Sequence, residues 1–179
     1  MRDIARTLYA DEHEQFRSAF RSWLDNEVVP HHEQYERDGI TPRELWLAAG
    51  SHGFLGLTVP EQYGGGGTDD YRFAAVMQEE VSYTGVIGSA NGFTLHNDIV
   101  LPYFIGLCND EQKARWLPGM CSGERIGAIA MTEPNTGSDA MRMKCTAKKE
   151  GKEWVLNGTK CWITHGISSD VVVAIVRTG

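Results

Sequence analysis

The chain has 179 residues, 41% of them hydrophobic and 23% charged, a balance that can bury a core and excludes a disordered polymer. Its net charge of -7 leaves no basic surplus to neutralise a phosphate backbone, so nucleic acid is excluded as a partner. At roughly 150 residues per domain the length fits one domain or two small ones.

The start, Met1-Arg2-Asp3-Ile4, leads into neither an apolar signal core nor a Ser- and Arg-rich transit stretch. No apolar run reaches the roughly 18 residues of a membrane span, so a cytoplasmic location is expected. Asp11 with Glu14 reads as a capping box ahead of Phe16, Phe20, Trp23, Leu24 and Val28 on one helical stripe, with Pro30 as its end. Thr41-Pro42-Arg43-Glu44 reads as a second start, hydroxyl at the cap and proline at the first helical position. The Gly64–Gly67 run lacks the Lys-Ser/Thr of a phosphate-binding loop and reads as a flexible connection.

Thr68-Asp69-Asp70 predicts a helix carrying Phe73, Met77 and Val81 and ending at Gly85. A longer helix is expected from Ile87 to Ile105, with Gly88, Ala90 and Gly92 leaving room either for a ligand or for a neighbouring helix. Asn109-Asp110-Glu111-Gln112 is another cap-and-box start, stopped at Pro118-Gly119.

The pattern changes after Gly123. Ile126 to Met131 is a short apolar run, Lys144–Lys149 and Glu153–Leu156 flank a turn at Glu150-Gly151-Lys152, and Asn157-Gly158 marks a turn before a strand over Thr159–Thr164. Val171 to Val176 fits a strand buried on both faces. Helices followed by strands define an α+β chain: an all-helical domain over 1–125, then a β-domain over 126–179 that has too few strands to close a barrel or sandwich. The four cysteines lie far apart with no metal-ligand spacing and read as reduced thiols. The adjacent His31 and His32 cannot face one another on a helix, and no metal site is expected.

The segment Met131-Thr132-Glu133-Pro134-Asn135-Thr136-Gly137-Ser138-Asp139 follows an apolar strand with hydroxyls, a φ-fixing proline and a permissive glycine, so it can present N–H and O–H groups to an anionic or heteroaromatic ligand. Composition alone favours an ordinary polar loop. The segment resembles the acyl-CoA dehydrogenase signature Thr-Glu-Pro-x-Ala-Gly-Ser-Asp. Leu156-Asn157-Gly158-Thr159-Lys160-Cys161-Trp162-Ile163-Thr164-His165-Gly166 is similar to the family's Asn-Gly-x-Lys-x-Trp-Ile-Thr-Asn-Gly, and Pro60–Gly65 and Gly123–Gly127 extend the likeness over nearly the whole chain, nearest to long-chain members. Thr136, Asn135 and His165 depart from the usual alanine, glycine and asparagine.

The resemblance implies FAD as cofactor, acyl-CoA as substrate and an electron-transfer flavoprotein as acceptor. Ile129, Ala130, Met131, Thr132, Gly137 and Ser138 would wrap one side of the flavin, Ser138 also meeting the acyl-CoA. Trp162, Ile163 and Thr164 would line the other side. It also implies a homo-oligomer in the full-length form and a catalytic glutamate in a C-terminal helical domain beyond Gly179. The chain then holds no catalytic base, Glu133 being a structural member of its loop and His165 a turn residue at unusual backbone angles. Other readings are a non-catalytic interaction module, or a flavin oxidase or monooxygenase on the same scaffold.

Overall fold

A computed structural model describes residues 7–178, which leaves the Met1–Ile4 reading outside the described residues. The chain divides into two compact units, Met1–Glu124 and Arg125–Gly179.

The first unit is helical. Helix α1 (Asp11–Trp23) begins one residue earlier than a cap at Asp11 requires: extended Ala10 is the N-cap, and the His13 ring accepts its N–H at 3.1 Å. Pro30 does not end the helical path. A π-turn over Leu24–Val28 and a 3-10 turn over Val29–His31 carry the chain into α2 (His32–Asp38), and Pro30 falls at the start of the 3-10 turn, where its missing N–H needs no partner. Helix α3 (Arg43–Ser51) is capped by Pro42, and Thr41 Oγ1 instead accepts the Trp46 indole N–H at 3.3 Å.

The glycine run is not a flexible connection. Gly66, Gly67 and Thr68 donate N–H bonds to the carbonyls of Gly56, Val59 and Leu57, and a Cβ on Gly65 would lie 2.2 Å from the Val59 carbonyl oxygen. Glycine is what lets these two backbone segments approach.

Helix α4 (Arg72–Thr84) starts two residues after Asp70, whose carboxylate accepts the Arg72 N–H at 3.0 Å, and ends at left-handed Gly85. The predicted long helix is continuous but broken in pitch: α5 (Ile87–Leu95), a π-turn over His96–Val100, then α6 (Leu101–Leu107). Gly88 serves helix packing, since a Cβ there would meet Glu36 Oε1 at 2.7 Å. Helix α7 (Asp110–Ser122) has the predicted box, Asn109 Oδ1 accepting the Gln112 N–H and Gln112 Oε1 the Asn109 N–H. It runs through Pro118 to Gly123, because Leu117 just before the proline and Met120 and Cys121 beyond it are buried in the core. That burial outweighs one lost helical hydrogen bond.

Aromatic rings form the centre of this unit. Phe20 meets Phe54 at 4.9 Å between centroids, Trp23 meets both Phe54 and Phe93, and Trp46 meets Phe93 at 4.7 Å. Trp23 and Trp46 are therefore core residues. Buried Asn97 ties the 54–56 turn to this core by donating to the Phe54 carbonyl and accepting from the Gly56 N–H, each at 2.8 Å. Glu80, 1% exposed, is held by Arg17 at 2.8 Å and by Arg21.

In the second unit β1 (Gly127–Ala130) pairs in parallel with β4 (Val171–Ala174), Gly127 opposite Val171. The predicted hairpin is formed by β2 (Thr146–Glu150) and β3 (Glu153–Asn157), turning at left-handed Gly151. Strand β4 is not buried on both faces: its residues alternate between half-buried and exposed, and among the described residues β1 is its one sheet neighbour. Thr159–Thr164 is not a strand either, since Trp162 (φ 56°) and His165 (φ 63°) adopt left-handed backbone that no ladder accommodates.

Candidate functional site

Strand β1 delivers a loop. Ala128 and Ala130 point into the unit's interior and Ile129 is half-buried, which fixes where the chain emerges at Met131. Glu133 and Thr136 then exchange two backbone hydrogen bonds of 3.0 Å across Pro134-Asn135, a two-residue turn led by the proline that pre-sets φ. Gly137 and Ser138 follow on the exposed side.

The Glu133 carboxylate is 6% exposed and wholly engaged. It accepts the backbone N–H groups of Lys144 at 2.6 Å and Cys145 at 2.9 Å, and the Lys160 ammonium at 2.9 Å. The Lys144 N–H first, with the Lys160 charge and the Cys145 N–H, holds its pKa down to about 2. A carboxylate so committed is no proton acceptor near neutral pH. Burial and the neighbouring Glu133 push the Cys145 thiol up, making it a packed, inert sulfur.

Lys160 Nζ also donates to the Met131 carbonyl at 2.9 Å, and the Cys161 N–H donates to the Thr132 carbonyl at 3.0 Å. The two stretches singled out in the sequence therefore meet in space, joined by backbone and by a half-buried lysine side chain. Gly158 permits the approach: its φ is 144°, and a Cβ would lie 2.1 Å from Cys145 Sγ. Thr132, Ile163 and His165 are half-buried, while Thr164 is exposed. His165 Nδ1 lies 3.4 Å from the Gly127 carbonyl, and burial lowers its pKa.

Trp162 is 90% exposed and has no ring partner among the described residues. A bare indole held at positive φ combines strain with unburied apolar area, the pairing expected of a contact surface. The side-chain hydroxyls of Thr132, Ser138 and Thr164 have no hydrogen-bond partner among the described residues, and Thr136 Oγ1 is buried without one. No hydrogen bond joins Gly137 or Ser138 to the Trp162 segment among those residues. The adjoining cleft of about 220 Å³ is lined by Glu133, Pro134, Asn135, Lys144, Cys145, Gly158 and Thr159, so it belongs to the anchoring side. The face bearing Trp162 is open, and a flat heteroaromatic ring with acceptor atoms fits its indole and unpaired donors. Lys160 was not assigned a role from sequence, although it falls on the lysine of the Asn-Gly-x-Lys-x-Trp pattern and is the one charged residue in its stretch.

Residues 10–124 match the model of the acyl-CoA dehydrogenase N-terminal domain, and residues 128–179 that of its middle domain. The chain belongs to the acyl-CoA dehydrogenase family. It is 44% identical over 173 residues to the mitochondrial long-chain specific acyl-CoA dehydrogenase of Sus scrofa, an alignment covering 97% of this chain and 40% of that relative. Among solved structures, an acyl-CoA dehydrogenase from Geobacillus kaustophilus superposes with a TM-score of 0.88 at 41% identity over 95% of this chain and 44% of that one. One from Bacillus anthracis complexed with FAD does so at 0.85 and 32%, over 98% and 30%. The chain thus spans about 40% of the curated relative's length. Among the described residues no helix is long and apolar enough to cross a membrane.

Proposed function

We propose that this chain is the N-terminal part of an FAD-dependent acyl-CoA dehydrogenase, which oxidises an acyl-CoA thioester to the 2-enoyl-CoA by removing an α-proton and passing a hydride to the flavin. The observation that carries this reading is the convergence of the Thr132 and Trp162 segments through the Cys161 N–H. The flavin, when bound, supplies the two-electron acceptor.

The chain's own residues bind and orient. Ile129, Ala130 and Met131 bring the backbone to the cofactor edge, and Thr132 presents its hydroxyl and N–H there. Gly137 lets the loop approach, and Ser138 presents a hydroxyl to cofactor and substrate. Trp162 offers its indole face to the ring, flanked by Ile163, with the Thr164 hydroxyl beside it. Removal of the α-proton falls to a glutamate beyond Gly179, because Glu133 is committed to its three donors. An electron-transfer flavoprotein takes the electrons onward, and the full-length form is a homo-oligomer.

The 179 residues by themselves neither dehydrogenate acyl-CoA nor hold FAD tightly. Mixing the purified chain with FAD and an acyl-CoA while following flavin absorbance tests this, with no bleaching expected. Rapid bleaching by the chain alone would overturn the assignment of the base to a missing segment.

A further inference from the structure

We propose that Lys160 is a positioning residue: with Glu133 it clamps the backbone on either side of Thr132, setting the distance and angle between Thr132 and Trp162 without touching the cofactor. The inference rests on the flavin reading above and adds a residue and a role to it.

Three consecutive positions are held by three different bonds. The Met131 carbonyl accepts from Lys160 Nζ at 2.9 Å, the Thr132 carbonyl from the Cys161 N–H at 3.0 Å, and the Glu133 carboxylate from Lys160 Nζ at 2.9 Å. Both donors stand immediately before Trp162. The Lys160 side chain is 14% exposed and Glu133 6%, so these charge-assisted bonds are poorly screened and strong.

Peptide planarity turns the clamp into an orienting device. The Met131 carbonyl and the Thr132 N–H belong to one trans peptide unit and point in opposite directions. Fixing that oxygen on Lys160 aims the N–H away from the ammonium, and that N–H takes no backbone or side-chain partner among the described residues. The ammonium therefore sets the direction of a donor it never contacts. Glu133 completes the arrangement because the Lys144 and Cys145 N–H groups fix its carboxylate to the segment entering β2, which gives the Lys160 charge a rigid counterpart.

The alternative role is simple structural support, which would lower stability without altering the ring contact. Lys160→Met keeps the stem and removes the charge and the donors, while Lys160→Arg keeps the charge. Two readouts separate the roles: amide hydrogen exchange at Cys161 in the chain without cofactor, and FAD titration followed by the flavin's visible bands and by quenching of tryptophan fluorescence.

For Lys160→Met the expected results are exchange at Cys161 faster by about tenfold and FAD binding weaker by roughly 10- to 100-fold, with displaced flavin bands. The arginine variant should recover most of both effects. Faster exchange with unchanged FAD affinity and bands would overturn the positioning role while leaving the flavin reading intact. Unchanged exchange would overturn the clamp itself. No FAD binding by the unmutated chain even at millimolar cofactor would overturn the flavin reading and the positioning role together. Should the methionine variant not fold, Glu133→Gln, which keeps shape and one acceptor oxygen, gives the same two readouts, and displaced bands are again the expected result.

Discussion

Replacing Trp162 by glycine should make the chain more stable and a poorer binder of FAD at once. The indole is 90% exposed, so deleting it removes almost no packing. Its backbone sits at φ 56°, which costs a bulky L-residue on the order of 1–2 kcal/mol and glycine nearly nothing. After allowing for glycine's greater freedom in the unfolded chain, a net gain of about 0.5–1 kcal/mol remains. On the binding side, a tryptophan carries roughly 150–250 Å² of side-chain surface, and a flat ring laid on one face covers about 100 Å² of it. At about 25 cal/mol per Å² the loss is about 2.5 kcal/mol, or roughly 60-fold in Kd. Titrating FAD into both proteins at matched concentrations gives the ratio even where both affinities are weak, and urea unfolding gives the stability difference. Trp162→Ala separates the two effects, because it removes the indole but keeps most of the backbone strain. FAD affinity within threefold of wild type in both variants would refute the stacking argument, and a destabilised glycine variant would refute the strain argument.

Glu80→Ala should destabilise the helical unit by roughly 3–5 kcal/mol, since it leaves Arg17 and Arg21 facing each other beside a buried gap. A thermal midpoint lower by about 10 °C or more is the check. Gly123→Ala and Gly85→Ala form a matched pair at φ 80° and 78°: a Cβ at 123 would lie 2.1 Å from the Trp46 carbonyl oxygen, whereas one at 85 meets nothing within 4 Å. The first should cost several kcal/mol and the second about 1 kcal/mol by urea unfolding, the difference isolating the α3–α7 contact. Glu133 has a folded pKa near 2, below its unfolded value of roughly 4.3, so its stabilising contribution is complete above that value and is lost as pH falls from about 4.3 to about 2. Melting curves of wild type and Glu133→Gln should therefore differ most near neutral pH and converge across that window.

What was legible in the sequence was local. The Asn109 box, the Gly151 hairpin and the Gly85 stop each depend on residues within one turn of one another, and each is found where its chemistry put it. The misreadings share one cause, a distant partner overriding a near signal. Pro118 looks like a stop until Leu117, Met120 and Cys121 are seen buried together. The Gly64–Gly67 run looks loose until the carbonyls of residues 56–59 appear opposite it. Thr159–Thr164 has strand composition, but Lys160 and Cys161 are claimed by the 131–133 backbone and force Trp162 into a left-handed bend. In the candidate site, the two contact segments were readable as motifs, each containing one member of the Glu133–Lys160 pair, but the pairing itself bridges 27 positions and nothing local to either residue announces it.

The parallel pairing of β1 with β4 has a kinetic consequence. Ile126 and Asp170 at its base are 44 positions apart, and every residue proposed to meet the cofactor beyond Met131 lies within that interval. The β2–β3 hairpin can close early, in microseconds, because it needs only its own turn, whereas docking β4 on β1 must first gather the whole excursion. Thr132 and Trp162 thus acquire their relationship among the last events of folding, and any flavin captured before that moment meets two unconnected loops.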